Sequence, residues 1–259
     1  MSTPATADPA VHVLGDAEAL ATSVADRLLT RLRDAQAERG SASVVLTGGT
    51  VGIAVLRAVH DSPHRASVDW SQVDVWWGDE RWVPADSADR NDAQARAALL
   101  DDLDLDHARV HPVGAPGGPD GDDPDDAAAD YARQLLAAAA AQEQVPAFDV
   151  LLLGMGPEGH TASIFPESPA AYDERTALAV HGCPKPPPVR VSLGFAALTA
   201  AREVWVVAVG TEKAPMAALA LSGAGRVQVP VAGARGRERT LWLLDDAAAA
   251  ELSEDLRGG

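Results

Sequence analysis

The sequence predicts an α/β fold, a mainly parallel sheet covered by helices on both faces. Three observations carry this expectation. Short β-branched or all-apolar runs alternate with stretches of helical periodicity. Several of those runs are apolar on both faces, as strands are when helices lie above and below them. Four of them end directly in glycine, which marks a strand handing over to a loop. The chain has 259 residues, 47% of them hydrophobic. That is enough for one large core, so residues 10–259 read as a single catalytic-sized domain behind a disordered lead-in over residues 1–9.

Asp16 to Arg39 is amphipathic, with Leu20, Val24, Leu28 and Leu32 at four-residue spacing and Gly40 where a helix commonly stops. Ser43 to Thr47 is a short buried strand feeding Gly48-Gly49, and Val51 to His60 returns to a helical pattern. Val73 to Trp77 is a strand stopped by Gly78, Asp92 to Leu100 a helix, and Val110 to Val113 a short strand. Gly114 to Asp126 is rich in Gly, Pro and Asp and reads as a solvated loop. Its aspartates lack the spacing and closing glutamate of a calcium loop. Asp130 to Glu143 is helical, and Val150 to Leu153 is an all-apolar strand running into Gly154-Met155-Gly156. Pro184 to Pro188 is stiff, Val189 to Leu193 a strand, and Val204 to Val209 a buried strand ending at Gly210. Glu212 to Leu221 is a helix, Thr240 to Leu244 the last strand, and Asp245 to Leu256 a closing helix. In open sheets of this kind ligands lie beyond the carboxyl ends of the strands. The loops at Gly48, Gly78, Gly154 and Gly210 are therefore expected to converge on one site.

Charge narrows the possible partners. A net charge of −17 argues against nucleic acid and anionic membranes, which both need a basic footprint. No run approaches the ~20 apolar residues of a membrane span. The lone cysteine, Cys183, cannot form an internal disulfide and fits a reducing cytoplasm, the expected location. An anionic small molecule would have to be met by a local group of cations drawn from only 21 Lys and Arg.

Four segments carry candidate chemistry. Thr47-Gly48-Gly49-Thr50 lies between a strand and a helix, where backbone N–H groups can cradle an anion, or where the chain simply turns tightly. Gly78-Asp79-Glu80-Arg81-Trp82-Val83-Pro84 puts three charges at a strand end, either a solvated turn or an Arg held by carboxylates and aimed at an anion. In Gly154-Met155-Gly156-Pro157-Glu158-Gly159-His160, an extended backbone sends Glu158 and His160 to the same side. A carboxylate beside an imidazole orients it and keeps it basic, as acid–base work requires. Lys213 in a first helical turn opposes the helix dipole, which a bound anion would offset. Arg190 adds a cation near the proline run, whereas Lys185 reads as a solvated surface charge.

Together the four segments resemble the 6-phosphogluconolactonases of the pentose phosphate pathway, over roughly residues 43–221 and in the expected order. Gly-Asp-Glu-Arg-x-Val-Pro and Gly-Met-Gly-x-acid-Gly-His-Thr-Ala-Ser-x-Phe-Pro carry the resemblance. It implies a Rossmann-like sheet shared with sugar-phosphate isomerases and deaminases. It also implies hydrolysis of 6-phospho-D-glucono-1,5-lactone with no metal or organic cofactor; a monomer or weak homo-oligomer is expected. On this reading His160 is the acid–base group, Glu158 its orienter, and Arg81 steadies either the phosphate or the developing charge. Thr47, Gly48, Gly49, Thr50, Asp79, Arg190 and Lys213 bind substrate. Three positions depart from the family. The glycine loop reads Thr47-Gly48-Gly49-Thr50-Val51-Gly52 rather than Ser-Gly-Gly-Ser-Thr-Pro, Glu158 stands where Asp is common, and Ser192 where Thr is usual. A glucosamine-6-phosphate deaminase is the nearest rival, but His160 leads into Thr161-Ala162-Ser163 rather than Ile-Ala-Phe, and Arg81 replaces a Tyr. A non-catalytic sugar-phosphate sensor would carry a DNA-binding module, for which the acidity and length leave no room.

Overall fold

A computed structural model describes residues 8–257; most of the expected lead-in lies outside them. The described residues form nine strands: β1 (Ala10–Leu14), β2 (Ala42–Leu46), β3 (Val73–Trp77), β4 (Asp79–Arg81), β5 (Val150–Gly154), β6 (Ala177–Val180), β7 (Arg190–Leu193), β8 (Glu203–Ala208) and β9 (Arg239–Asp245). Its α-helices are α1 (Ala17–Arg39), α2 (Gly49–Asp61), α3 (Asn91–Ala98), α4 (Pro124–Ala138), α5 (Phe195–Leu198), α6 (Ala214–Leu221) and α7 (Glu254–Arg257). Six strands make one sheet in the order β1-β9-β8-β5-β2-β3, and every pairing within it is parallel. Parallel neighbours need crossovers on the sheet faces, which is why its central strands are buried on both sides. The expected α/β class is correct.

One face packs on α1, α2 and α3. Leu20, Val24, Leu28 and Leu32 of α1 are all buried there with Val44 and Leu46 of β2, and each buried Leu contributes ~1.5–3 kcal/mol. Asp16 starts α1 by accepting a hydrogen bond from the N–H of Ala19 (2.8 Å). Gly40 stops it at φ +80, a left-handed conformation that glycine adopts without a steric cost. The other face packs on α4, α5 and α6, with Tyr131, Phe148, Phe195 and Trp242 in its core. It also carries a second, antiparallel sheet in the order β4-β7-β6.

That second sheet was not expected, nor was β1, and several boundaries differ. α4 begins at Pro124 rather than Asp130 because Asp123 caps it, accepting from the N–H of Asp125 at 2.9 Å, with proline in the first turn. The acidic end of the expected loop is thus a helix start. Val110–Val113 is not a strand; Val110 makes a single parallel bridge to Val75. The closing helix over Asp245–Leu256 is mostly turns, because β9 runs on to Asp245, whose carboxylate takes the N–H of Ala248 (2.7 Å). Only α7 is helical there.

The topology also locates a crevice. From β2 the chain steps to β3 on one side and later to β5 on the other, so the winding reverses between β2 and β5. At such a switch point the loops leaving the two strands diverge and open a ligand site.

Candidate active site

A cavity of about 470 Å³ opens at the carboxyl ends of β2, β5 and β8. Gly48, Gly154 and Gly210 line it as expected. The fourth expected loop reaches it through Asp79 and Arg81 rather than through Gly78. The Thr47–Thr50 loop, Lys213, His160 and Lys185 also line it.

The glycine loop starts α2, and Gly48 caps that helix with no side chain. Gly49 sits at φ +75, and a Cβ on Gly48 would lie 1.9 Å from Oδ1 of Asn91. Only glycine therefore lets the loop lie against α3. The first turn of α2 contains no acid, so its N–H groups and the positive end of its dipole are left for a bound anion. Thr47 and Thr50 line the cavity beside them, and the Thr47 hydroxyl accepts the N–H of Gly154 (3.2 Å), tying the β2 loop to the β5 loop.

The charged triplet is neither solvated nor a turn. Asp79, Glu80 and Arg81 form β4 and pair with Ser192, Val191 and Arg190 of β7. Strand alternation sends Asp79 and Arg81 to the cavity side and Glu80 to the other. Glu80 is fully buried and accepts the N–H groups of Arg81 (2.8 Å), Asn91 (2.7 Å) and Asp92 (2.9 Å), with Arg90 beside it at 3.5 Å. Burial raises its pKa, while Arg90 and the three N–H groups oppose the rise. It is the brace of the start of α3. Asp79 is buried too. It accepts the Ser163 hydroxyl (2.6 Å) and the Asn91 amide (3.3 Å), and Arg190 lies 3.7 Å away. Arg81 donates to the carbonyl of Asp89 (2.6 Å), while its buried Nε makes no hydrogen bond among the described residues.

The β5 loop carries Glu158 and His160. Nδ1 of His160 lies 2.9 Å from Oε1 of Glu158. A Cβ on Gly156 would fall 2.0 Å from that same Nδ1, so glycine there makes room for the imidazole. Hydrogen bonds from Gly156 to the His160 carbonyl (2.9 Å) and from Val231 to the Gly159 carbonyl (3.0 Å) fix the loop. The ring packs against Phe165 at 4.5 Å between centroids. Burial lowers the His160 pKa below the ordinary histidine value; Glu158 and Asp79 pull it up and Lys185 pulls it down. Burial by itself would raise the Glu158 pKa, but its own N–H, Lys185 and His160 outweigh burial and hold it below the usual glutamate value. Glu158 is thus an anion that can only accept, so Nδ1 carries the ring proton and Nε2 is left as a base.

Two cations stand differently from expectation. Lys185 is not a free surface charge. It lines the cavity, and its ammonium donates to Oε2 of Glu158 at 3.0 Å. The signal available in the sequence was its place before a proline run, which aims a side chain by stiffening its backbone. Arg190 is buried and lines the cavity, yet three of its donor contacts go to the carbonyls of Pro187 (3.2 Å), Pro186 (3.1 Å) and Lys185 (3.3 Å). Nη1 is the nitrogen it has left for a ligand. Lys213 lines the cavity at the start of α6, 3.7 Å from Glu212. Asn91 was passed over as a site residue. It lines the cavity, and its buried Oδ1 has no partner among the described residues. Among the described residues, no three His, Cys, Asp or Glu side chains group to hold a metal ion, and no helix is long and apolar enough to cross a membrane.

The chain is similar to known proteins along most of its length. The family described as glucosamine-6-phosphate isomerases/6-phosphogluconolactonase matches residues 15–242. The chain is 54% identical to a 6-phosphogluconolactonase of Streptomyces coelicolor over 251 residues, 96% of each chain. It is 47% identical to one from Mycobacterium tuberculosis over 243 residues, 93% of this chain and 98% of the relative. Among solved structures, a 6-phosphogluconolactonase from Trypanosoma brucei superposes with a TM-score of 0.81 at 28% identity, covering 95% of this chain and 99% of that one. With the match spanning the sheet, the β5 loop and the cavity they frame, this chain belongs to the glucosamine-6-phosphate isomerase/6-phosphogluconolactonase family.

Proposed function

We propose that this protein hydrolyses 6-phospho-D-glucono-1,5-lactone to 6-phospho-D-gluconate in the oxidative pentose phosphate pathway. The observation that carries the reading is His160, a half-buried neutral imidazole whose Nδ1 is held by Glu158 at the mouth of a cavity with an anion cradle. The likeness to lactonases over nearly the whole chain supports the same substrate.

Nε2 of His160 takes a proton from water as its oxygen attacks the lactone carbonyl carbon. Negative charge then develops on the carbonyl oxygen, and Glu158 stabilises the imidazolium. Collapse of the tetrahedral intermediate breaks the bond to the ring oxygen, and the imidazolium returns the proton to that oxygen as it leaves. Arg81 offers a guanidinium to the developing charge. The N–H groups at Gly48-Gly49, the hydroxyls of Thr47 and Thr50, Lys213 and Nη1 of Arg190 hold the phosphate. Asp79 fixes Asn91, Ser163 and Arg190 around them. Binding a remote phosphate in this way orients the reacting carbonyl.

Purified protein is tested against the phosphorylated lactone, with product followed by a coupled dehydrogenase, and against glucosamine 6-phosphate, with ammonia followed. Lactone turnover without ammonia release is expected. Ammonia release would assign the site to a deaminase, and tight sugar-phosphate binding with neither reaction to a sensor.

A further inference from the structure

The Glu158 carboxylate is shared between two partners. Oε1 meets His160 at 2.9 Å, and Oε2 accepts from Lys185 at 3.0 Å. Glu158 is the only acid within 4 Å of the Lys185 ammonium among the described residues. Lys185 does not reach it from a loose loop. One buried guanidinium, Arg190, grips the carbonyls of Lys185, Pro186 and Pro187. Nη1 of that same Arg190 lies 3.7 Å from Asp79, which also takes the hydroxyl proton of Ser163 in the loop carrying His160. The segment bearing Lys185 and the loop bearing His160 therefore hang from one buried Asp–Arg pair, which sets the distance between them.

We propose that Lys185 is a positioning residue of the acid–base pair, holding the far oxygen of Glu158 so that the near oxygen stays on Nδ1 of His160. This rests on the reaction proposed above and names a part of its machinery. A glutamate has one more rotatable bond than an aspartate, so a second anchor is needed to keep its carboxylate in place. Lys185 provides that anchor. It also shares the negative charge, so that Glu158 orients the imidazole without binding its proton too firmly. The charged groups facing His160 are Glu158, Lys185 and Asp79, with Arg81, Arg190, Glu212 and Lys213 elsewhere on the cavity wall. Glu158 and Asp79 favour the imidazolium, and Lys185 opposes it.

The test is a mutant cycle of Lys185→Met, Glu158→Gln and the double variant, with Lys185→Arg as the conservative control. Lys185→Met is expected to lower kcat about tenfold, the size of one charge-assisted hydrogen bond, with KM nearly unchanged. Lys185→Arg is expected to restore most of it. In the Glu158→Gln background Lys185→Met should cost little more, because its effect passes through Glu158. A loss confined to KM, or the full loss repeated in the Glu158→Gln background, would make Lys185 a direct substrate ligand and overturn the proposal. NMR titration of His160 in the unliganded protein gives a readout independent of turnover. Its midpoint should rise in Lys185→Met, and an unmoved midpoint overturns the proposal even if lactonase activity is present. A wild-type protein inactive on the lactone would overturn the reaction instead, leaving this titration to decide the role of Lys185.

Discussion

Two carboxylates bracket β5 and show how differently one sheet uses its two ends. Asp149 precedes the strand and Glu158 follows it, and each pairs with at least one cation. Asp149 is 4% exposed in its side chain. It bonds Arg39, has Arg31 and Arg202 each at 3.7 Å, and takes the N–H of Ser43 at 3.0 Å. Burial raises its pKa, with Ser43 and the three guanidiniums opposing. Those arginines reach on to Glu203, Glu38 and Glu238, so the network closes on itself. Glu158 is 33% exposed in its side chain and has two partners, one of them an imidazole on a cavity wall. The cations around a carboxylate do not mark function. Glu158 differs in having a partner, His160, that lines a cavity a substrate can enter.

Variants at the two ends should separate rate from stability. His160→Ala is expected to lower kcat by ~10²–10⁴-fold with an unchanged melting temperature. Near-normal turnover in a folded variant would erase the distinction between the ends. Asp149→Ala should do the reverse, since it removes the buried acid that three partly exposed guanidiniums share. A loss of about 2 kcal/mol is expected, read as a melting temperature lower by roughly 4–8 °C, with kcat per folded molecule preserved. A selective fall in kcat would make the closed network part of the catalytic end.

Smaller effects refine the open end. Lys213→Ala should raise KM for the phosphorylated lactone about tenfold, as expected for one hydrogen bond to a charged group, and barely alter hydrolysis of unphosphorylated gluconolactone. Equal losses on both substrates would take Lys213 out of the phosphate cradle. Because burial lowers the His160 pKa, its base form persists below the ordinary histidine value, and the acid limb of kcat/KM should lie there. Glu158→Gln removes the strongest influence that raises this pKa, so the limb should move further to acid and kcat should fall. Glu158→Asp should keep most activity. An unshifted, fully active Glu158→Gln would reduce Glu158 to a loop brace. The smallest effect is expected from EDTA, which should leave kcat unchanged. Loss restored by added zinc or magnesium would show that a metal completes the open end.

The sequence alone determined what depends on neighbours along the chain. The buried strands and the α1 stripe follow from periodicity, and Gly48, Gly154 and Gly210 from the need for a strand to hand over to a loop. The Glu158–His160 pair followed from spacing two residues apart in a single loop. Only the tertiary structure decided what depends on residues far apart. β4 is a strand because β7, about a hundred residues later, offers it a ladder, and that pairing turns Asp79 and Arg81 inward and buries Glu80. Asp123 became a cap instead of a loop residue because α4 found a core to pack on. Lys185 looked solvated because its partner lies 27 residues away, across a turn set by Arg190. A charge on a flexible stem takes its role from whichever opposite charge the fold brings within about 4 Å, and that distance is a property of the packed chain, not of the local sequence.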